Sequence, residues 1–393
     1  MVFGKAILAQ AAGVETVQVN NSVSVQVDYC LINDAVSHQS IDYLSDEDVL
    51  FNKEKVAVII DHDTPSGSES SSVIQRKLIN FAKKHDTIYY HGEGVGYQLM
   101  LDNYVKQGEI IVGTGEHMAV FGAAGALGLT VKPELLANVL KTGVLDLQVP
   151  EFVKIELTGQ VGAGVYAKDI MLTVIREFGA RLGGKIITFS GETCNDLTRN
   201  DKITICNLAG KTKAVSAVFP IDESCCSNDG YDVVYRLDVS AVRPAIVKPD
   251  SYEEIVLVRE LAGMRVNEVF IGGCSAGRIE DLRLAADIIR GKKVAKGVRL
   301  LVAPITSSVY VQALQEGLLS DFIDAGAVVM NQGCSVCWGK SQGIIDTDEV
   351  LLSAGSYNSK GWAGAATAKI YNASAATAAA SAIAGVIAEA KGV

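Results

Sequence analysis

What this chain of 393 residues lacks removes several classes of function. No apolar run reaches the ~18 residues of a membrane span, and the first residues do not follow the basic-then-apolar order of a secretory leader. A cytoplasmic protein is therefore expected. Long runs of lysine or arginine are also absent and the formal net charge is −10, which argues against a nucleic-acid surface because phosphate binding rests on a concentrated basic field. A small anion needs only a few local cations and remains possible. There is no Pro- or Ser-rich linker and no short repeat.

With 49% hydrophobic residues, the composition predicts a globular protein of two or three domains with ample core. Apolar runs at 56–60, 109–113, 185–191, 268–273 and 298–304 alternate with helical patterns at 70–84, 132–141, 168–182, 279–291 and 308–318. That alternation predicts an α/β fold with parallel sheets covered by helices. The Ala-rich segment 363–393 predicts a closely packed helix rather than a low-complexity tail. The glycines of GEGVG (92–96) lack the Lys-Ser/Thr ending of a phosphate loop and predict a turn.

Eight cysteines lie scattered at 30, 194, 206, 225, 226, 274, 334 and 337, a pattern that suits reduced thiols in a long chain better than a disulfide framework. Cys274 stands in IGGCSAGRIEDLR, and Cys334 and Cys337 form a CxxC in NQGCSVCWG. Three such thiolates suit an iron–sulfur cluster, with one iron left free of protein ligands; zinc, a redox dithiol and inert buried thiols are the alternatives. Cys30, Cys194 and Cys206 predict buried small hydrophobes, and the adjacent Cys225 and Cys226, with no histidine beside them, an inert loop. Asp61 and His62 end the run VAVII, placing them at the carboxyl end of a strand, where open α/β sheets gather site residues. A carboxylate there can orient an imidazole and fix its tautomer. His117, in GTGEHM, follows the run EIIVG in the same way.

The flanking residues carry more than the cysteines do. GGCSAGRIEDLR and NQGCSVCWG resemble the two cluster-binding segments of the aconitase superfamily, nearest to the large subunits of isopropylmalate isomerase and homoaconitase. DHDTPSG at 61–67, the stretch 94–128, VKIELTGQVGAGVYAKDIML, KITICNL and NASAATAAASAIAG resemble further segments of that family in the same order. The resemblance implies three α/β/α domains around a [4Fe-4S] cluster, bounded at 1–150, 151–244 and 245–393. It implies Cys274, Cys334 and Cys337 as cluster ligands, His62 oriented by Asp61 and His117 as proton-handling groups, and Asn207 as a substrate contact.

The departures are equally specific. Where the family has Asp and Ser before the histidine matching His117, this chain has Gly115 and Glu116; Tyr97 stands for an upstream histidine, and Lys211 for a glutamate. Two arginines that hold substrate carboxylates in the family match Lys360 and Ala365, which is not a conservative exchange, since an ammonium lacks the rigid fork of a guanidinium. Arg278 is present and would either steer an anionic substrate or pair with an acid one helical turn on. The implied activity is that of a hydro-lyase acting on a small hydroxy acid other than citrate or isopropylmalate, with Lys211, Arg278 and Lys360 as anion contacts. A desulfidase on the same scaffold and a non-enzymatic cluster sensor are the alternatives. The chain ends after the Ala-rich segment, so the resemblance further implies a partner: a small subunit that brings the swivel domain and its serine base.

Overall fold

The computed structural model describes residues 2–220, 227–340 and 342–390; Cys225 and Cys226 lie outside them. Three sheets organise the chain, each drawing its strands from one stretch. The first has five parallel strands in the order Ile88–His91, Val56–Ile60, Tyr29–Asn33, Ile110–Gly113 and Leu127–Thr130. Every residue of Val56–Ile60 and of Ile110–Gly113 is buried, which is why these runs are apolar throughout instead of alternating: a parallel strand is covered on both faces. A small antiparallel pair, Ser22–Gln26 with Val144–Gln148, flanks it.

The second sheet is a four-stranded parallel one made of Ser216–Val218, Lys185–Ser190, Glu151–Thr158 and Val233–Asp238. The third has seven strands: Glu268–Gly272, Arg299–Ala303, Val328–Val329, Val350–Ser353 and Lys369–Asn372 are parallel, and Ala245–Val247 and Ile255–Leu257 add an antiparallel edge. This edge adds to the parallel strands that the alternation predicts. It is built from two three-residue strands joined by residues 248–254, a geometry that alternation with helices does not signal.

The helices follow local rules. Glu69–His85 starts at Ser68, whose hydroxyl accepts from the Ser71 amide at 3.1 Å, and stops at Asp86 in the left-handed region. The Ala-rich segment is a correction to the expected single helix, because it divides into the strand Lys369–Asn372 and the helix Ala375–Ala384, closed by Gly385 at φ 74°. Ala375, Ala378, Ala379 and Ala382 are buried against Leu282, Ala286 and Ile289 of the helix Ile279–Ile289 in one apolar cluster, so small side chains let the two helices approach closely. Among the described residues no helix is long and apolar enough to cross a membrane.

The carboxyl ends of the first and third sheets meet. The GEGVG turn lies against residues 305–307: the Val95 amide donates to the Ile305 carbonyl at 2.9 Å and the Ser307 amide to that of Glu93 at 2.8 Å. A Cβ on Gly94, which has φ +139°, would stand 2.5 Å from the Thr306 Cα; only glycine permits the approach. The Cys334 amide donates to the Asp61 carbonyl at 3.1 Å across the same junction. Catalytic candidates from two sheets are thereby brought to one place.

Candidate active site

The groups of the site follow the ends of strands. After Tyr29–Asn33 comes Asp34, after Val56–Ile60 come Asp61 and His62, after Ile110–Gly113 the loop to His117, after Glu268–Gly272 Cys274, and after Val350–Ser353 Ser356. Cys334 and Cys337 sit at the tight helical turn Ser335–Trp338, and Asn207 on the helix Arg199–Ala209. Of these, His62, His117 and the three cysteines line a cleft of about 550 Å³, together with Tyr97, Glu116, Trp338, Lys340, Tyr357 and Trp362.

All three cysteines are buried and none is paired. Cys274 Sγ and Cys337 Sγ stand 3.9 and 4.0 Å from the same Ser356 hydroxyl, whereas the Cys334 thiol lies on the His62 side, its sulfur within 4.8 Å of ligand atoms of Asp61 and His62. Burial pushes the Cys274 thiol up to about 11 and that of Cys334 further up. Neither would ionise here without a compensating charge nearby. The Arg278 guanidinium supplies one for Cys274 and His62 one for Cys334, while beside Cys274 and Cys337 the buried Lys168 ammonium donates to the Ala354 and Gly355 carbonyls at 2.7 and 2.6 Å. Burial pulls its pKa down to about 8, against the opposing pull of Cys337 and Cys274.

His62 faces two carboxylates. Its Nδ1 lies 2.6 Å from Asp61 Oδ1 and 3.2 Å from Asp34 Oδ1. Asp34 also accepts the backbone amides of Asp61, His62 and Asp63, and Asp61 that of Gly96 at 2.7 Å. Burial by itself would lower the imidazole's pKa, but the charges of Asp61 and Cys334 and the hydrogen bonds to both carboxylates outweigh it and raise it well above the ordinary value. With Nδ1 held by the carboxylates, Nε2 is the remaining ring nitrogen, and a side-chain hydrogen bond also links the ring to Cys334. His117 is the opposite case. Its Nδ1 donates to the Asn207 carbonyl at 3.2 Å, leaving Nε2 to accept from the Ser356 hydroxyl at 3.1 Å, and burial lowers its pKa to about 4. One histidine is kept charged and the other neutral.

Several predicted contacts are placed elsewhere. Lys360 is exposed and does not line the cleft. Arg278 is buried and turned into the protein, donating to the Cys274 carbonyl at 2.7 Å and the Thr204 hydroxyl at 2.6 Å, with Asp281 3.6 Å away. It braces the Cys274 turn and its fork has no face toward the cleft. Lys211 is near the cleft, yet its ammonium is bound to Glu116 at 2.7 Å and lies over the Tyr357 and Tyr252 rings. Two departures from the family pattern, Glu116 and Lys211, are thus a single ion pair. Tyr97 and Gly115 are likewise linked, since a Cβ at 115 would fall 1.9 Å from the Tyr97 hydroxyl. Asp34, Ser356, Lys168 and Lys340 are groups that motif reading missed. Asp34 alone carried a usable signal, a carboxylate directly after a buried strand.

Residues 6–228 and 257–385 match the model of the aconitase family (aconitate hydratase). The chain belongs to the aconitase family. It is 36% identical over 350 residues, 84% of each chain, to 3-isopropylmalate dehydratase large subunit 2 of Archaeoglobus fulgidus. It is 30% identical to the probable methanogen homoaconitase large subunit of Methanothermobacter thermautotrophicus, covering 97% of this chain and 95% of that one. Among solved structures it is similar to the holo-form of Thermococcus kodakaraensis aconitase X, with a TM-score of 0.54 and 13% identity over 85% of this chain and 84% of that one, a likeness of fold. As an aconitase-family protein it is a hydro-lyase.

The family implies a [4Fe-4S] cluster, and the residues present fit one. Three unpaired thiols converge beside a cleft, the donor set that such clusters take. Asn207, whose Oδ1 lies 3.8 Å from Cys274 Sγ, has a buried Nδ2 with no hydrogen-bond partner among the described residues; a cluster sulfur would satisfy it. Gly355 leaves room beside Cys337, whose Sγ would be 2.8 Å from a Cβ there.

Proposed function

We propose that this chain is the cluster-bearing large subunit of a hydro-lyase that acts on a small hydroxy acid other than citrate or isopropylmalate. The observation that carries the reading is the cleft itself: three buried thiols, His62 and Tyr97 beside them, and no arginine among the described residues that line it. Cys274, Cys334 and Cys337 would hold the [4Fe-4S] cluster, which when bound supplies a Lewis-acidic iron for the substrate hydroxyl. His62, protonated and anchored through Nδ1 to Asp61, holds a proton at Nε2 for the departing oxygen. Neutral His117 keeps Ser356 oriented, and Asn207 steadies the Cys274 sulfur. The proton lost from carbon goes to a base brought by a small subunit, as the large-subunit names of the relatives suggest. Without paired arginines, a substrate with several carboxylates loses its bidentate anchors, each worth on the order of 1.5–3 kcal/mol.

Anaerobic purification tests the cluster assignment. The expected protein is brown, with about four iron and four sulfide per chain. Replacing Cys274, Cys334 or Cys337 by Ser should abolish the full complement, while Cys206→Ser, whose sulfur faces the Ala217 carbonyl in the core of the second sheet, should leave it. A normal iron and sulfide content in Cys337→Ser would refute the assignment.

A further inference from the structure

Beside the thiols, the cleft has an aromatic wall that the cluster chemistry leaves unused. The Tyr357 and Trp362 rings are stacked, with centroids 4.4 Å apart and planes at 13°, and Trp338 meets Trp362 edge-on at 5.8 Å. The wall is locked in place. Trp362 Nε1 donates to the Cys337 carbonyl at 2.8 Å, and a Cβ on Gly339, which has φ +69°, would lie 2.6 Å from Trp362 Cδ1. That glycine folds the Trp338–Lys340 turn over Trp362. The Lys340 ammonium stands 4.3 Å from the Trp338 ring centroid and 5.7 Å from that of Trp362. Among the described residues lining the cleft it is the one lysine or arginine, and no carboxylate pairs with it. The other lysine nearby, Lys211, is spent on Glu116.

We infer that this wall selects the substrate: a hydroxy acid with a single carboxylate held by Lys340 and a flat or bulky apolar substituent laid against Trp338, Trp362 and Tyr357. The inference rests on the reading of this cleft as the substrate site of a hydro-lyase. A single carboxylate also fixes where the hydroxyl sits. The carbon that loses its proton must be next to the carboxylate to be acidic, so the hydroxyl is on the following carbon. Dehydration then breaks one C–H and one C–O bond, forms the C=C bond and releases water, with no oxidant or reductant needed. The aromatic wall contributes apolar burial and the exposed Lys340 ammonium at its rim adds charge without a fork.

Calorimetric titration of the full chain, purified anaerobically, checks this with three probes: 3-hydroxy-3-phenylpropanoate, 3-hydroxybutanoate and citrate. The phenyl acid should bind at least tenfold more tightly than either of the others. Lys340→Gln should weaken it about tenfold or more, Trp362→Leu should remove most of its advantage over 3-hydroxybutanoate, and Lys360→Ala should change nothing. Tighter binding of citrate, no saturable binding of the phenyl acid, or unaltered affinity in Lys340→Gln overturns the inference. Binding heat needs no turnover, so a chain that binds the phenyl acid but holds no cluster would instead defeat the hydro-lyase reading.

Discussion

Gly115 and Tyr97 show how substitutions in a packed site come in pairs. The nearest atom to a Cβ at position 115 is the Tyr97 hydroxyl at 1.9 Å, and the next is its Cζ at 3.2 Å. A methyl group at 115 must therefore displace a buried ring, an overpacking cost of about 1–3 kcal/mol. Removing the hydroxyl should relieve most of it. The expected result is a clear loss of urea midpoint in Gly115→Ala and a much smaller loss when the same change is made in Tyr97→Phe. Additive effects in that double-mutant cycle would show that the two positions do not touch. The Glu116–Lys211 pair has the same logic, and both pairs were visible in the sequence only as separate oddities. What motif reading could find was the identity of groups at strand ends: Asp61, His62, His117 and the cysteines. It could not tell that Lys211 is already neutralised, that Arg278 faces inward, or that Lys340 faces the cleft, because these depend on side-chain direction across loops that sequence spacing does not encode.

At the scale of elements, buried parallel strands announce themselves as unbroken apolar runs, and the observed limits of Val56–Ile60 and Glu268–Gly272 differ little from those runs. Composition misled where one segment changes structure midway, as at 369–384. The helix Ala167–Phe178 carries a further consequence. Its Asp169 is buried and accepts the Tyr166 amide at 3.0 Å and the Ala245 amide at 2.9 Å, joining the helix start to the strand Ala245–Val247. Burial pushes its carboxyl up to about 7 from an ordinary 3.8, the two amides pulling the other way. Between those values the folded chain keeps a proton that the unfolded chain has shed. This group's contribution to stability is therefore complete below about pH 4 and is lost as pH rises through about 7. Asp169→Asn should cost about 1–3 kcal/mol, since an amide –NH₂ would face a backbone N–H. It should also flatten the fall in stability between pH 5 and pH 8 measured by urea unfolding. Parallel pH profiles for the two proteins would rule out the titration of Asp169 as its cause.

At the scale of the molecule, we propose that the three sheets mark three domains at 1–150, 151–244 and 245–393. Their cores interpenetrate: Phe152 and Ile186 of the second sheet lie in the same apolar cluster as Val2, Phe3 and Leu8, and Ala245 and Val247 of the third join the cluster of the second. Such packing makes a stiff scaffold, which suits a site assembled from several loops. The cleft nevertheless keeps one side open, with Lys340 and Glu116 reaching solvent at its rim. Among the described cleft-lining residues, His62 is held charged beside its carboxylates and His117 is neutral and engaged at both nitrogens, and on the proposed reading a separate base for the carbon-bound proton comes from a small subunit. A small subunit closing over the cleft would bring that base and exclude water at once. The cluster-loaded chain by itself should bind substrate yet turn over at least about a thousandfold more slowly than the complex, the scale on which a lost general base acts. Steady-state assays of the chain with and without a coexpressed small subunit measure the ratio directly. Equal kcat in the two preparations would place the base within this chain and remove the need for a partner.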